Sequence, residues 1–145
     1  MLALLNSRLL EWSFRLGSTN SKVNEYQFDI LPCPVFREDA TVSEQRVETV
    51  VQARLDQNDA SVRHLLPPAV AGGPFSRAAR TALEALARKV RAAEEARGEI
   101  GRRERSRLSD NAQPYQDEID AILFDLAGFS AADRAQVESR LRVMI

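Results

Sequence analysis

Residues 76–107 read SRAARTALEALARKVRAAEEARGEIGRRERSR, and the spacing of their apolar members decides the fold class. Ala79, Leu83, Leu86, Val90, Ala93, Arg97 and Ile100 follow one another at alternating steps of four and three, which places them on one face of a helix. Ser76 stands just ahead of the run, where its hydroxyl oxygen can accept from a free first-turn N–H. The pattern predicts a helix from Ser76 to about Arg107, which at 1.5 Å per residue is about 45–50 Å long. Alanine and arginine hold three of the seven seam positions, and Gly98 and Gly101 lower helicity, so this is one arm of a helical pair rather than a self-sufficient coiled coil.

Toward the C-terminus, Ser109-Asp110-Asn111 separates this helix from the next, which starts near Pro114 and turns Ile119, Ile122, Leu123 and Leu126 inward. Gly128 is placed to stop it, Ser130 and Asp133 to cap a last helix carrying Val137, Leu141 and Met144. Toward the N-terminus, Leu66 to Pro74 is the clearest linker in the chain. Before it, Thr41 and Glu44 have capping-box spacing and open a helix through about Gln57 with Val47, Val50, Val51 and Leu55 on one face. Further upstream, Tyr26, Phe28 and Ile30 alternate with polar residues in a short extended pattern that Leu31-Pro32-Cys33-Pro34 ends. The first helix, Leu2 to Leu16, carries a stripe at Leu2, Leu5, Leu9, Trp12 and Leu16, broadened by Leu4, Leu10 and Phe14, and Gly17 ends it. The stripe and its aromatics are core-packing residues that seek a partner layer. The predicted fold is therefore mainly α: an N-terminal amphipathic helix, a short extended segment, then a helical region with one long helix and a C-terminal helical pair.

Composition limits the chemistry. The 145 residues carry 20 basic and 21 acidic side chains, one cysteine and one histidine. Cys33 alone makes neither a disulfide nor a cysteine zinc site within one chain, and His64 lacks a second histidine for metal binding and a partnered nucleophile for general-base work. No apolar run approaches the roughly 20 residues of a membrane span, Arg8, Glu11 and Arg15 interrupt any signal-peptide reading, and the expectation is a cytoplasmic protein. The near-neutral total conceals segments of +1 (residues 1–37), −3 (38–75), +5 (76–108) and −4 (109–145). Only Lys22 and Lys89 are lysines, so the cationic surface is arginine, suited to carboxylate partners and to phosphate backbones alike. Gly98-Glu99-Ile100-Gly101 lies within a helical stretch and is no phosphate-cradling loop, and the sole Pro-Pro, Pro67-Pro68, lacks the asparagine and aromatic neighbours that hold a flipped adenine. No catalytic motif is present.

Leu4-Leu5-Asn6-Ser7-Arg8-Leu9-Leu10-Glu11-Trp12-Ser13-Phe14-Arg15, then Ser18-Thr19-Asn20, then Tyr26 to Pro34 follow one another in an order that resembles the C-terminal specificity region of TaqI-like N6-adenine DNA methyltransferases and type IIG restriction–modification enzymes. Glu118 to Phe129 is similar to that family's closing helix, with Ala127 where the family has tyrosine and Phe129 where it has leucine. The resemblance covers 4–34 and 118–129 and implies a fragment without the catalytic domain. On it, residues 1–37 are the end of a specificity domain, 38–66 a helical spacer, 67–75 a Pro/Gly linker, 76–108 the long Ala/Arg-rich helix and 109–145 the C-terminal pair. It implies a double-stranded DNA partner, missing methyltransferase and recognition domains, and an S-adenosylmethionine site outside this chain.

Ser18, Thr19, Asn20, Lys22 and Asn24, in the polar loop after the first helix, are the candidate DNA contacts, since short hydroxyl and amide groups with a lysine commonly hold phosphates. Arg102 and Arg103 are a second candidate pair, whose interleaving with Glu99 and Glu104 suits a solvated face of Arg/Glu pairs better than a phosphate-tracking stripe. The other function class is a helical interaction module that assembles through the 76–107 helix and a helix of a partner.

Overall fold

The computed structural model describes residues 7–17, 34–69, 74–97 and 108–144, with side chains from 7–12 in the first of these stretches. Among them are five helices: α1 (Arg8–Gly17), α2 (Val42–Asp56), α3 (Arg77–Ala96), α4 (Gln113–Leu126) and α5 (Ala131–Met144), with a 3₁₀ turn at Arg63–Leu65. The fold is mainly α, with one long helix and helices at the C-terminal end. No described helix is long and apolar enough to cross a membrane. The extended pattern at 26–30 lies outside the described residues.

The starts of α2, α3 and α5 follow their sequence signals closely. Thr41 accepts the Glu44 N–H at 3.2 Å and Ser76 the Ala79 N–H at 3.2 Å. At α5 the exchange is reciprocal: Ser130 Oγ accepts from Asp133 N at 3.2 Å while Asp133 accepts from Ser130 N at 2.9 Å. Before α1, Ser7 is buried and its Oγ accepts from Leu10 N at 3.1 Å, the cap of that helix. Gly128 takes φ +75° between α4 and α5, in open space, so the left-handed backbone alone calls for glycine there.

Two apolar clusters share α4. On one side Tyr115, Ile119, Ile122 and Leu123 pack with Val51 and Leu55 of α2, Val62, and Ala82, Leu83, Ala85 and Leu86 of α3. On the other, Phe124 meets Val137 and Leu141 of α5, with Leu9, Trp12 and Phe129 around them. At Leu83, Leu86 and Val90 the seam of the long helix is thus covered by helices of the same chain, and the buried alanines at 78, 79, 82 and 85 leave little side chain between α3 and its neighbours. Across α2 and α3, Arg77 holds Glu48 with both carboxylate oxygens, at 2.9 and 3.2 Å, and Thr81 donates to it at 3.0 Å. The Phe36 and Phe75 backbones form a parallel bridge, tying the entry to α2 to the entry to α3.

Two expectations require correction. Val50, assigned to the inner face of α2, is 43 % exposed, because the core side of that helix runs through Val51 and Leu55. The first helix, expected from Leu2, begins at Arg8, because Ser7 stands outside it and accepts from Leu10 N as its cap. The long helix α3 is described to Ala96 and, with 20 residues, is about 30 Å long. Its expected continuation to Arg107 lies outside the described residues. Ser109 N donates to Glu94 Oε1 of α3 at 2.8 Å.

Leu86→Ala and Ile119→Ala, each at a site with no more than 1 % exposure, are expected to lower unfolding free energy by about 2–4 kcal/mol in urea titrations. Val50→Ala, on the solvent side of α2, is expected to stay within about 0.5 kcal/mol of the parent in the same titrations.

Candidate functional site

The loop residues Ser18, Thr19, Asn20, Lys22 and Asn24, and Arg102 and Arg103, all lie outside the described residues. What is described is the base on which that loop stands, since Gly17 is the last residue of α1. Arg97, the first of the arginine run, pairs with Glu94 on its own helix at 3.7 Å. His64 sits exposed in the 3₁₀ turn.

Helix α1 is fastened to α4 and α5 by one side chain. The Arg8 guanidinium lies 3.6 Å from Asp117, 3.6 Å from Asp120 and 3.4 Å from Glu138. Its backbone N–H, one of the free first-turn donors of α1, donates to Asp120 Oδ1 at 2.9 Å. Gln116, one turn earlier on α4, donates to the same oxygen at 3.4 Å. Asp120 Oδ2 makes no hydrogen bond and has the Arg8 charge beside it. Arg134 of α5 pairs with Glu138 at 3.1 Å and stands 5.4 Å over the Phe124 ring. One turn along α1 from Arg8, Trp12 meets Phe129 edge-on, with ring centroids 5.8 Å apart and planes at 83°.

Asp120 is wholly buried. Burial pushes its carboxyl up to about 6, against the pull of the Arg8 N–H, the Arg8 charge and the Gln116 amide. A carboxylate poised near neutrality is commonly a functional group, yet here its neighbours are two apolar clusters and an arginine, which makes it a fastening for α1.

A second carboxylate works between segments on the α2 side of the core. Glu118 Oε1 accepts from the N–H groups of Val62 and Arg63, at 3.0 and 2.6 Å, and so caps the 3₁₀ turn from α4. Glu94 is held below the usual carboxylate range by the Ser109 hydroxyl and N–H, and Asp133 by the Ser130 hydroxyl and N–H. No group of three or more histidine, cysteine or acidic side chains positioned to share a metal ion occurs among the described residues.

Sequence reasoning missed Asp120 and Arg8. Asp120 stands inside the apolar run Ile119-Asp120-Ala121-Ile122, and an acid in such a run was the available signal. The chain matches no family model, no curated protein and no solved structure.

The pH dependence of stability has a definite sign. Because Asp120 titrates higher folded, near 6, than its ordinary 3.8, the folded state binds the extra proton between these values, and stability rises as pH falls through that window. Lowering pH from 7 to 5 is expected to add about 1 kcal/mol in urea denaturation, and Asp120→Asn to flatten that gain. Glu48, held low chiefly by Arg77, acts in the opposite direction only below its ordinary 4.5, where acid removes its contribution.

Proposed function

We propose that this chain is the non-catalytic C-terminal part of a site-specific adenine DNA methyltransferase or restriction–modification protein, and that it assists DNA target recognition. The observation that carries this reading is that the two stretches resembling that family's specificity region meet in space. Arg8 from the first lies on Asp117 and Asp120, beside or within the second, and Trp12 from the first packs on Phe129 at the end of the second. They are more than 100 residues apart in sequence, as the separation of 112 between Arg8 and Asp120 shows, so their contact is a property of the fold and not of neighbouring sequence.

In this reading α1 is a rigid stem fixed at Arg8 and Trp12, and the 18–24 loop at its far end is presented to duplex DNA. Lys22 neutralises a phosphate, Ser18, Thr19, Asn20 and Asn24 hydrogen-bond the backbone, and Arg102 and Arg103 add a second contact. The total charge of −1 makes the chain a minor contributor to overall grip, with the recognition and methyltransferase domains supplying most of it. S-adenosylmethionine belongs to the methyltransferase domain, and no residue of this chain is assigned to it. The working compartment is the cytoplasm, where bacterial-type restriction–modification proteins meet DNA.

Mobility-shift titrations of duplex DNA over a salt series, with the full-length protein that carries this sequence, test the reading. Lys22→Ala is expected to weaken binding and to reduce the log–log salt slope by about one, and Asn20→Ala to weaken binding with the slope kept. Affinity and slope unchanged in both variants would overturn the role of the loop.

A further inference from the structure

At the junction of α1, the α4–α5 turn and α5 there is an open cleft of about 460 Å³, within the size range of small-molecule sites. Trp12, Gly128 and Phe129 form one wall. Asp133, Gln136, Val137 and Arg140 form the other. These last four lie at i, i+3, i+4 and i+7, which is one face of α5 over two turns, about 10 Å from Asp133 to Arg140.

The polar groups of the cleft are unequally occupied. Asp133 is engaged by the hydroxyl and N–H of Ser130 at 2.7 and 2.9 Å, and these hold it ionised. Arg140, exposed at the other end of the face, enters no ion pair among the described residues. The Trp12 indole Nε1 is buried and has no hydrogen-bond acceptor among the described residues. That donor is closed off from the cleft, so Trp12 offers a ligand its ring surface rather than its N–H. Between the polar ends, Val137 and the Trp12–Phe129 pair supply an apolar and aromatic surface.

We propose that this cleft binds a small planar aromatic carboxylate, its ring system against Trp12, Phe129 and Val137 and its carboxylate drawn to the Arg140 end. An exposed cation without an acidic partner among the described residues, at one end of an aromatic-walled cleft, asks for an anionic oxygen on a flat apolar body. The fixed charge of Asp133 repels an anion at the opposite end and so sets the direction in which the ligand lies. The 10 Å face matches a two-ring acid about as long. This assignment stands independently of the DNA-recognition reading, because none of its residues belongs to the 18–24 loop or to the arginine run.

Trp12 is the single tryptophan of the chain, so the one indole N–H resonance in a ¹⁵N-labelled sample reports from this cleft alone. Titration with 2-naphthoate is expected to move that resonance saturably with Kd of about 10 µM to 1 mM, in keeping with a half-open site. The neutral 2-naphthamide is expected to bind roughly three- to tenfold more weakly, as loss of one partly exposed ion pair implies. Arg140→Gln, a change at an exposed position, should bring naphthoate down to the affinity of the amide, and Arg140→Lys should retain part of the difference. Absence of a saturable shift up to about 10 mM, equal affinity for acid and amide, or an Arg140→Gln variant that binds naphthoate as the parent does would each overturn the proposal.

Discussion

From Ile119 to Phe124 every side chain of α4 is buried, and the other elements are arranged to meet that demand. A helix apolar on one stripe needs one neighbour, whereas a helix buried all round needs a layer on each side. Helices α2 and α3 cover one side, α1 and α5 the other, so the molecule has two apolar clusters with a single helix between them. Asp120 lies within this buried run. Its carboxylate is tolerable only with a cation and donors at hand, and Arg8 brings both a guanidinium and a backbone N–H. Removing one partner of such a buried pair is costly because the other is left uncompensated, and the position of α1 is therefore fixed by electrostatics as well as by apolar contact.

The legible parts of the fold were those whose cause lies within about four residues. Thr41, Ser76 and Ser130 each cap the helix their position announced, and Ile119, Ile122, Leu123, Val137 and Leu141 are buried as their spacing required. The contact between Glu94 and Ser109 was not legible, because it joins α3 to a segment 15 residues on and neither side chain belongs to the apolar recurrence. Val50 failed for a smaller reason. Adjacent valines at 50 and 51 differ by about 100° around a helix, and only one of them can face the core. Of the candidate site, no local pattern signals that Arg8 and Asp120 belong together, since each partner is invisible from the neighbourhood of the other across 112 residues. Arg8 looked like an interruption of an apolar helix, when it is the group by which that helix is attached.

The arginine bias of the chain acquires a structural use in the same way. Arg8, Arg37, Arg63, Arg77 and Arg134 each join a carboxylate on an element other than their own or brace a helix end near such a junction. A guanidinium reaches two or three acceptors at once, which a lysine ammonium does less specifically. With alanine filling much of α3, close helix approach and multidentate ion pairs take over part of the role that bulky aromatic residues have in other small cores, in agreement with an aromatic content of 6 %.

The Arg8 contacts also set a schedule for the molecule's synthesis. Asp120 and Glu138 leave the ribosome 112 and 130 residues after Arg8. At about 5–20 residues per second, α1 waits on the order of ten seconds for the surfaces that cover Leu9, Leu10 and Trp12. Closing a loop of that length costs about 4 kcal/mol of chain entropy, growing only with the logarithm of its length, and the attachment of α1 waits on α4 and α5. Helix α1 is made before the surfaces it docks on, and during that interval it is an apolar segment of the kind nascent-chain chaperones hold.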